Sequence, residues 1–169
     1  MRDKLLPWGL DGVELGDEVL EIGPGFGATS RLLVPAAGKL TVLELDKGYC
    51  ERLRSELAPA VSVVEGDATR LPFPSDSFSA VVCFTMLHHL PSAELQDRSF
   101  AEIARVLRPG GTFAGTDSVG TGLLFKVIHL GDTLVLVDPS TLGERLERAG
   151  LHEFSVQRAD GSFRFRARK

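Results

Sequence analysis

Three glycines stand at alternate positions, Gly23, Gly25 and Gly27, directly after the apolar run Val19–Ile22. Glycine has no Cβ and adopts positive φ without strain, so this spacing predicts a tight turn whose backbone a ligand can touch. A helix that begins after such a turn presents unpaired N–H groups, which favour a carboxylate or a phosphate. A turn made for packing alone needs one glycine rather than three, so the segment predicts a site for an anionic group.

Acidic residues follow the next two predicted strands. Glu44 lies at the end of the strand Leu40–Leu45, where a carboxylate can accept hydrogen bonds from both hydroxyls of a ribose. Asp67 follows the strand Val61–Val64 and is placed to meet the amino group of a purine. A solvated loop carboxylate at Glu44, with Asp46 as a competitor for the ribose, and a turn cap at Asp67 are the structural alternatives. The set predicts a ligand that combines adenosine with a charged tail.

Short apolar runs alternate with helical patterns along the whole chain, and parallel strands need such long crossovers. The fold class is therefore α/β, with two further strands at Ser79–Phe84 and Thr112–Thr116 and a closing antiparallel hairpin around Asp160-Gly161. The predicted helices cover residues 28–34, 48–57 and 93–107, the last with Ser92 as its N-cap, and a segment from the Asp138-Pro139 N-cap to Gly150. All carboxyl ends of the parallel strands should meet at one crevice.

The composition excludes several classes of protein. The 169 residues correspond to about one domain, and 43% hydrophobic with 25% charged residues is typical of a soluble globular chain. A formal charge of −4 offers no general attraction to nucleic acid or anionic lipid. Neither a signal peptide nor an apolar run of about 18 residues is visible, and Cys50 and Cys83 suit free thiols in a reducing compartment. These features predict a cytoplasmic protein without a membrane partner.

Four segments carry a family resemblance: VLEIGPGFG, LTVLELD, VEGDATRLPFPSDSFSAVVCFTMLHHL and RVLRPGG. In this order and spacing they resemble the motifs of class I S-adenosylmethionine-dependent methyltransferases, specifically the type 11 branch, over about residues 13–169. The resemblance implies one Rossmann-like domain over 1–169, with a seven-stranded, mostly parallel sheet, a closing antiparallel hairpin and helices on both faces. It implies S-adenosyl-L-methionine as the cofactor and methyl transfer to a small aromatic or apolar acceptor at oxygen, nitrogen or carbon.

The resemblance also assigns cofactor-binding roles to individual positions. Glu21 and the glycine turn would shape the pocket for the methionine part, Leu45 would pack on adenine, and the backbone near Phe84 and Thr85 would bind the amino-acid tail. Asp67 with Ala68 would meet the adenine edge. The full set of implied cofactor-binding residues is Glu21, Gly23, Pro24, Gly25, Gly27, Glu44, Leu45, Gly66, Asp67, Ala68, Phe84 and Thr85.

The sequence departs from the family at two places. Ser79 stands where the family often has Asp, which puts the start of the fourth strand in question. Only about 18 residues precede Val19, so the acceptor pocket is expected to lack a full roof.

Candidate catalytic residues follow the fourth strand. His88 and His89 lie at the mouth of the expected site, where an imidazole can act as a general base, with His88 slightly favoured; capping of the loop is the alternative. Asp117, His129 and Trp8 are acceptor-site candidates, each with an ordinary turn-capping or packing alternative. Residues 117–138 form a lid-like connection, and its apolar run 123–130 predicts core packing or a homodimer contact more than a substrate wall.

The sequence patterns leave other functions open. A nicotinamide-dependent oxidoreductase also uses a glycine turn and a strand-end acid, but its spacing is G-x-G-x-x-G rather than G-x-G-x-G. A non-catalytic nucleoside-binding module would keep the pocket and lack an acceptor site. Two adjacent histidines with no third ligand make a metal site the weaker interpretation. The basic residues of the last hairpin, interleaved with Phe163 and Phe165, predict the solvent face of an edge hairpin rather than an RNA track.

Overall fold

The computed structural model describes residues 8–120, 134–159 and 161–169. Seven strands form one sheet: β1 (Glu18–Ile22), β2 (Lys39–Glu44), β3 (Val61–Glu65), β4 (Phe78–Phe84), β5 (Leu107–Ser118), β6 (His152–Ala159) and β7 (Ser162–Arg168). The helices are α1 (Ala28–Leu33), α2 (Lys47–Leu57), α3 (Ala93–Val106) and α4 (Leu142–Arg148), with a 3₁₀ turn at Leu87–His89.

The strand order, β3-β2-β1-β4-β5-β7-β6, confirms the predicted α/β fold. Strands β1 to β5 pair in parallel, whereas β7 is antiparallel to both β5 and β6. The chain moves outward from β1 to β3 and then returns to place β4 on the other side of β1. The order therefore reverses between β1 and β4, and ligands of open α/β sheets bind at the carboxyl edge beside such a reversal.

Both faces of the sheet bury apolar side chains, because successive strand residues point to opposite faces. On one face, Ile22 and Phe113 belong to the cluster that includes Phe100 of α3. On the other face, Val42 packs in a second cluster with Leu53 of α2. Each fully buried side chain of this size contributes about 1.5–3 kcal/mol, so the two clusters hold the carboxyl edge of the sheet in a fixed shape.

Several element boundaries in the structure differ from those predicted. Strand β5 covers Leu107–Ser118, well beyond the predicted Thr112–Thr116: Leu107 at its start pairs with Phe78 of β4, and Asp117 and Ser118 at its end pair with β7. The N-cap predicted at Asp138 is wrong: its carboxylate accepts bonds from the backbone and hydroxyl of Ser140, and α4 begins three residues later than the proline, at Leu142. A local Asx turn has taken the place of the cap. Of the lid-like connection, residues 121–133 lie outside the described part of the chain, and His129 is among them.

Ser79 secures the start of β4, which its departure from the family pattern had put in question. Its hydroxyl oxygen accepts the backbone N–H of Glu18 at 3.0 Å. The same hydroxyl lies 2.8 Å from the carbonyl oxygens of Leu15 and Glu18, to one of which it donates. A serine thus ties the beginnings of β1 and β4 together.

The basic hairpin lies at the edge of the sheet, as predicted, and its Arg166 and Arg168 are exposed while Phe163 and Phe165 are buried. Strand β7 lies between β5 and β6, and its cations hold other parts of the chain. The guanidinium of Arg164 lies 5.3 Å from the ring centroid of Trp8 and donates to the Trp8 carbonyl, while Arg166 donates to the Gly12 carbonyl at 3.0 Å. Lys169 donates to Asp76 at 2.6 Å. The hairpin therefore anchors the N-terminal segment.

Replacing Ser79 with alanine should lower the free energy of unfolding by about 1–2 kcal/mol, because the partly buried N–H of Glu18 loses its acceptor. Urea unfolding monitored by circular dichroism measures the change. The matched control is Ser75→Ala in the exposed loop before β4, which should change stability by less than about 0.5 kcal/mol. Equal effects of the two substitutions would contradict the role assigned to Ser79.

Candidate functional site

The glycine turn lies at the carboxyl end of β1, where Gly23 and Gly25 adopt φ values of 67° and 53°. A Cβ at Gly23 would come within 2.3 Å of Met86 Cγ, so this position must be glycine for packing. A Cβ at Gly25 would meet no atom within 4 Å, so this backbone faces open space. The turn therefore combines a close internal approach with a stretch of main chain that a ligand can reach.

Glu44 joins the end of β2 to the glycine turn. One carboxylate oxygen accepts the N–H of Gly25 at 3.0 Å, and the other accepts the N–H groups of Leu45 and Asp46 at 2.8 and 3.0 Å. Hydrogen bonds to an ionised acceptor are stronger than neutral ones. Asp46 instead caps α2 by accepting the N–H of Tyr49 at 2.9 Å. Of the two acids considered for a ribose, Glu44 is the one that contacts the turn.

Glu21 lies behind the turn and is only 1% exposed. Its carboxylate accepts hydrogen bonds from the hydroxyls of Thr29 and Ser30, so it fixes α1 against β1. Burial raises the pKa of Glu21 to about 7, the two hydroxyls oppose that rise, and the nearby charge of Glu44 adds to it. Glu21 thus supports the shape of the turn from inside.

The loop after β3 contributes an exposed acid beside an apolar side chain. Leu45 is 70% exposed, and Gly66 donates its N–H to the Glu44 carbonyl at 2.9 Å. Asp67 is exposed and accepts the N–H of Thr69 at 2.7 Å, whereas Ala68 is buried in the core. An open groove of about 890 Å³ begins at this loop and continues along α3. Apolar and acidic surface thus lie close to the end of β2.

The end of β4 carries an unusual backbone conformation. Phe84 is buried, and the next residue, Thr85, is exposed with φ of 53°. Its N–H donates to the Thr116 carbonyl at 2.8 Å, which holds it against β5. A non-glycine residue in this region costs about 1–3 kcal/mol and persists where surrounding contacts impose it. The chain turns sharply here, toward the 3₁₀ turn.

His88 and Asp117 form a buried pair beyond the ends of β4 and β5. The side chains are 2% and 0% exposed, and His88 Nδ1 is hydrogen-bonded to Asp117 Oδ1. His89 is exposed, and its ring centroid lies 4.3 Å from that of His88. The structure thus brings three of the predicted residues together, with one histidine inside and one outside.

Of the remaining acceptor-site candidates, Trp8 lies in the described part of the chain and His129 does not. Trp8 is half-buried and packs under Arg164 of β7. Its neighbour Gly9 approaches Phe84 and Thr116 so closely that a Cβ would lie 3.1 and 2.8 Å from their side chains. The N-terminal segment therefore covers the ends of β4 and β5.

Gln96 is a site residue that sequence reasoning missed. It is fully buried on α3, and its side-chain amide donates to the carbonyls of Leu87 and Val135 at 3.2 and 2.7 Å. A signal was present, since Gln96 lies four residues before Phe100 on the apolar stripe of the helix. A polar residue in a core position generally has a hydrogen-bonding partner.

The family model described as a methyltransferase domain matches residues 20–115, more than half of the chain. The chain belongs to the class I S-adenosylmethionine-dependent methyltransferases, type 11 branch. The cofactor of this family is S-adenosylmethionine. The matched range runs from within β1 to within β5, so it covers the glycine turn, Glu44, Asp67 and both histidines.

Individual relatives differ in what their names say they act on. A fatty-acid O-methyltransferase of Mycolicibacterium smegmatis is 37% identical over 108 residues, which cover 61% of this chain and 38% of the relative. A probable ribosomal RNA small subunit methyltransferase A of Pyrobaculum aerophilum is 31% identical over 133 residues, or 73% of this chain and 55% of the relative. The chain thus spans about two fifths of the first of these curated relatives and just over half of the second.

A solved structure shares the whole fold of this family member. The S-adenosylmethionine-dependent methyltransferase from Mesorhizobium loti superposes with a TM-score of 0.77 at 18% identity, covering 99% of each chain. Within the described ranges, no group of three or more His, Cys, Asp or Glu side chains could hold a metal ion. Among these same residues, none of the helices has the length and hydropathy needed to span a membrane.

The raised pKa of Glu21 gives this family member a testable pH dependence. Because the folded state keeps a proton that the unfolded chain releases near pH 4.5, the free energy of unfolding should fall by up to about 3 kcal/mol as the pH rises from about 4.5 to about 7, and level off above that. Urea unfolding between pH 5 and 8 measures this fall, which Glu21→Gln should abolish.

The matched control for Glu21→Gln is Glu18→Gln on the same strand, where the partly exposed carboxylate pairs with Lys39 at 3.3 Å. This control should leave the pH dependence of the wild type intact. Identical pH curves for the wild type and Glu21→Gln would show that Glu21 is ionised throughout.

Proposed function

We propose that this chain transfers the methyl group of S-adenosylmethionine to a small apolar or aromatic acceptor by in-line displacement. The observation that carries the proposal is the convergence of the open Gly25 backbone, the Glu44 carboxylate and the exposed Asp67 at the ends of β1, β2 and β3. These groups match the parts of a sulfonium nucleoside with a charged amino-acid end.

The residues present fit this cofactor on structural grounds. Glu44 stands at the strand end with both carboxylate oxygens in a fixed orientation, which suits two ribose hydroxyls. Leu45 offers exposed apolar surface for the adenine ring, and Asp67 offers an acceptor for its amino group. The open backbone at Gly25, next to the N-terminal end of α1, leaves room for the amino-acid tail. S-adenosylmethionine supplies a methyl group bound to a positively charged sulfur.

A small apolar acceptor is supported by charge and by one relative. The formal charge is −4, and Arg164, Arg166 and Lys169 hold partners within the chain rather than forming a basic track. A fatty-acid O-methyltransferase is among the similar proteins. Proximity and orientation contribute about 7–11 kcal/mol to such a displacement, so the main task of the protein is to align the acceptor.

RNA is the second candidate acceptor, and the ribosomal RNA relative is the observation that favours it. Affinity for RNA would fall steeply with salt concentration, because phosphate contacts release counterions.

A nicotinamide-dependent oxidoreductase is not favoured, because the family match includes the glycine spacing and Asp67. A non-catalytic nucleoside-binding module would bind cofactor and transfer nothing. Cytoplasmic location and homodimer formation stay predictions.

The cofactor assignment is tested by calorimetric titration with S-adenosylhomocysteine, which we expect the folded wild-type protein to bind. Glu44→Ala should weaken this binding by about 1–3 kcal/mol, because charge-assisted hydrogen bonds are lost. The matched control is Glu65→Ala, since Glu65 pairs with Glu44 in register on β3 and is exposed. An unchanged dissociation constant for Glu44→Ala, or wild-type protein that binds no S-adenosylhomocysteine, would contradict the assignment.

The acceptor class is tested with labelled S-adenosylmethionine and a panel of phenols, amines, fatty acids and ribosomal RNA, read by mass spectrometry. We expect transfer to a small-molecule member of the panel.

Replacing His88 and His89 singly with glutamine should lower turnover about 10²–10⁴-fold in at least one variant, with the affinity for S-adenosylhomocysteine retained. Wild-type turnover in both variants would dismiss the general base, and transfer to RNA alone would replace the acceptor class.

A further inference from the structure

We propose that binding of S-adenosylmethionine expels a proton from the buried carboxyl group of Glu21, so that the site gains a second negative charge only while the cationic cofactor occupies it. Glu21 then favours the sulfonium cofactor over the product with its uncharged sulfur, and it acts from behind the glycine turn without touching either. This inference rests on the proposed function and deepens it, because it adds a charge-selecting residue to the site assigned to the cofactor.

Glu21 lies in an apolar layer of the sheet. It pairs in register with Val42 of β2 and Val82 of β4, and both valines are fully buried in the cluster that also contains Leu53 of α2. An ionised carboxylate in such surroundings is strongly unfavourable unless a cation compensates it. In the described part of the chain, the charge that acts on Glu21 is that of another acid, Glu44. The free site therefore favours a protonated Glu21.

The other described titratable or charged groups around Glu21 leave this balance unchanged. Burial raises the pKa of both Cys83 on β4 and Cys50 on α2, so both thiols are neutral. Arg31 on α1 is exposed and pairs with Glu56 of α2, which balances its charge. A cation for Glu21 must therefore come from a ligand.

Two hydroxyls allow Glu21 to change its protonation state in place. Thr29 Oγ1 is hydrogen-bonded to Oε1 of Glu21, and Ser30 Oγ is hydrogen-bonded to Oε2. Both hydroxyls donate to the ionised carboxylate, and one of them accepts when the carboxyl group carries its proton. Loss of the proton therefore requires rotation of hydroxyl hydrogens rather than movement of β1 or α1. Thr29 is half-buried, so its hydroxyl gives the proton a short path to solvent.

The ionisation of Glu21 lies close to neutral pH. Burial raises its pKa to about 7, the hydroxyls of Ser30 and Thr29 oppose that rise, and the charge of Glu44 adds to it. A nearby positive charge favours the ionised form of a carboxyl group. Arrival of a cation at the turn is therefore sufficient to move the equilibrium toward the carboxylate at neutral pH.

The glycine turn lies between the two acids. Gly23 is two residues after Glu21 on the chain, and the N–H of Gly25 is held by Glu44 at 3.0 Å. A ligand on the exposed Gly25 backbone is thus close to both carboxyl groups, and the buried surroundings of Glu21 screen its charge less than water does.

The charge of the ligand changes during the reaction. S-adenosylmethionine carries a sulfonium, an ammonium and a carboxylate, so it has one net positive charge. As it binds, the O–H bond of Glu21 breaks and the proton passes to solvent. After methyl transfer the sulfur is uncharged, and Glu21 takes a proton back from solvent. The attraction between site and ligand is then weaker, which favours release of the product.

The exchanged proton is counted by calorimetric titration of wild-type protein with S-adenosylmethionine at about pH 6.5, in two buffers of different ionisation enthalpy. We expect release of about half a proton or more per cofactor bound, and a smaller release with S-adenosylhomocysteine. The amino group of the cofactor is already protonated at this pH and contributes none. No release, or equal release with both ligands, overturns the inference.

The affinity itself should depend on pH. The dissociation constant for S-adenosylmethionine should fall about fivefold or more between about pH 5.5 and 6.5 and level off above about 7, because binding requires the ionised form of Glu21. Glu21→Gln should release no proton and lose this dependence. The matched control Glu18→Gln, at the carboxylate that pairs with Lys39, should keep the wild-type proton release. Proton release that persists in Glu21→Gln assigns the proton to another group and overturns the inference.

The variant Ser30→Ala tests the same linkage with Glu21 in place, whether or not Glu21→Gln folds. The Ser30 hydroxyl lowers the pKa of Glu21, so its removal should move the pH profile of the dissociation constant to higher pH. Equal weakening at every pH would assign Ser30 a packing role only and contradict the linkage.

The outcomes separate this inference from the proposed function. Wild-type protein that binds S-adenosylmethionine without exchanging a proton refutes the role of Glu21 alone. Wild-type protein that binds neither S-adenosylmethionine nor S-adenosylhomocysteine refutes the proposed function.

Discussion

The carboxylate of Glu44 is the interaction on which the candidate cofactor site depends. Parallel strands leave their carboxyl ends as separate loops, and each loop could fold independently of its neighbours. Glu44 prevents this by accepting an N–H from its own loop and another from the glycine turn after β1. From behind the turn, Glu21 binds the hydroxyls of α1. Glu44 therefore holds the outer side of the glycine turn, and Glu21 holds its inner side. The Gly25 backbone stays exposed in a fixed conformation.

Much of this arrangement could be predicted from sequence, because it depends on short-range patterns. The apolar runs of β1 to β4 match the strands almost residue by residue, and the N-cap at Ser92 accepts the N–H of Leu95 as expected. The family motifs placed Glu44 and Asp67 at the ends of neighbouring strands. Predicted boundaries failed where tertiary contacts decide, as in β5, which pairs with β4 at its start and with β7 at its end. The prediction that Asp138 caps α4 failed because a local Asx turn competes with helix capping.

The acceptor side was less predictable, because its contacts join distant parts of the chain. His88 and Asp117 are 29 positions apart, and nothing in the local sequence of either residue indicates the other as its partner. Gln96 contacts Leu87, 9 positions away, and Val135, 39 positions away, and only its place on an apolar stripe suggested a buried role. The exposed strain at Thr85 arises from its bond to Thr116 on the neighbouring strand. Sequence patterns named the candidate residues, and the packing of β4 against β5 decided which of them meet.

The place of β7 in the sheet has a consequence for how the protein is made. The bond between Arg164 and the Trp8 carbonyl joins residues 156 positions apart, and β6 reaches the sheet only through β7. During synthesis, the first strands can pair as they leave the ribosome, because their contacts are closer in sequence. The outer side of β5 stays without a neighbour until β7 emerges, and only then can the N-terminal segment settle over the ends of β4 and β5. Completion of the native sheet therefore waits for the synthesis of β7.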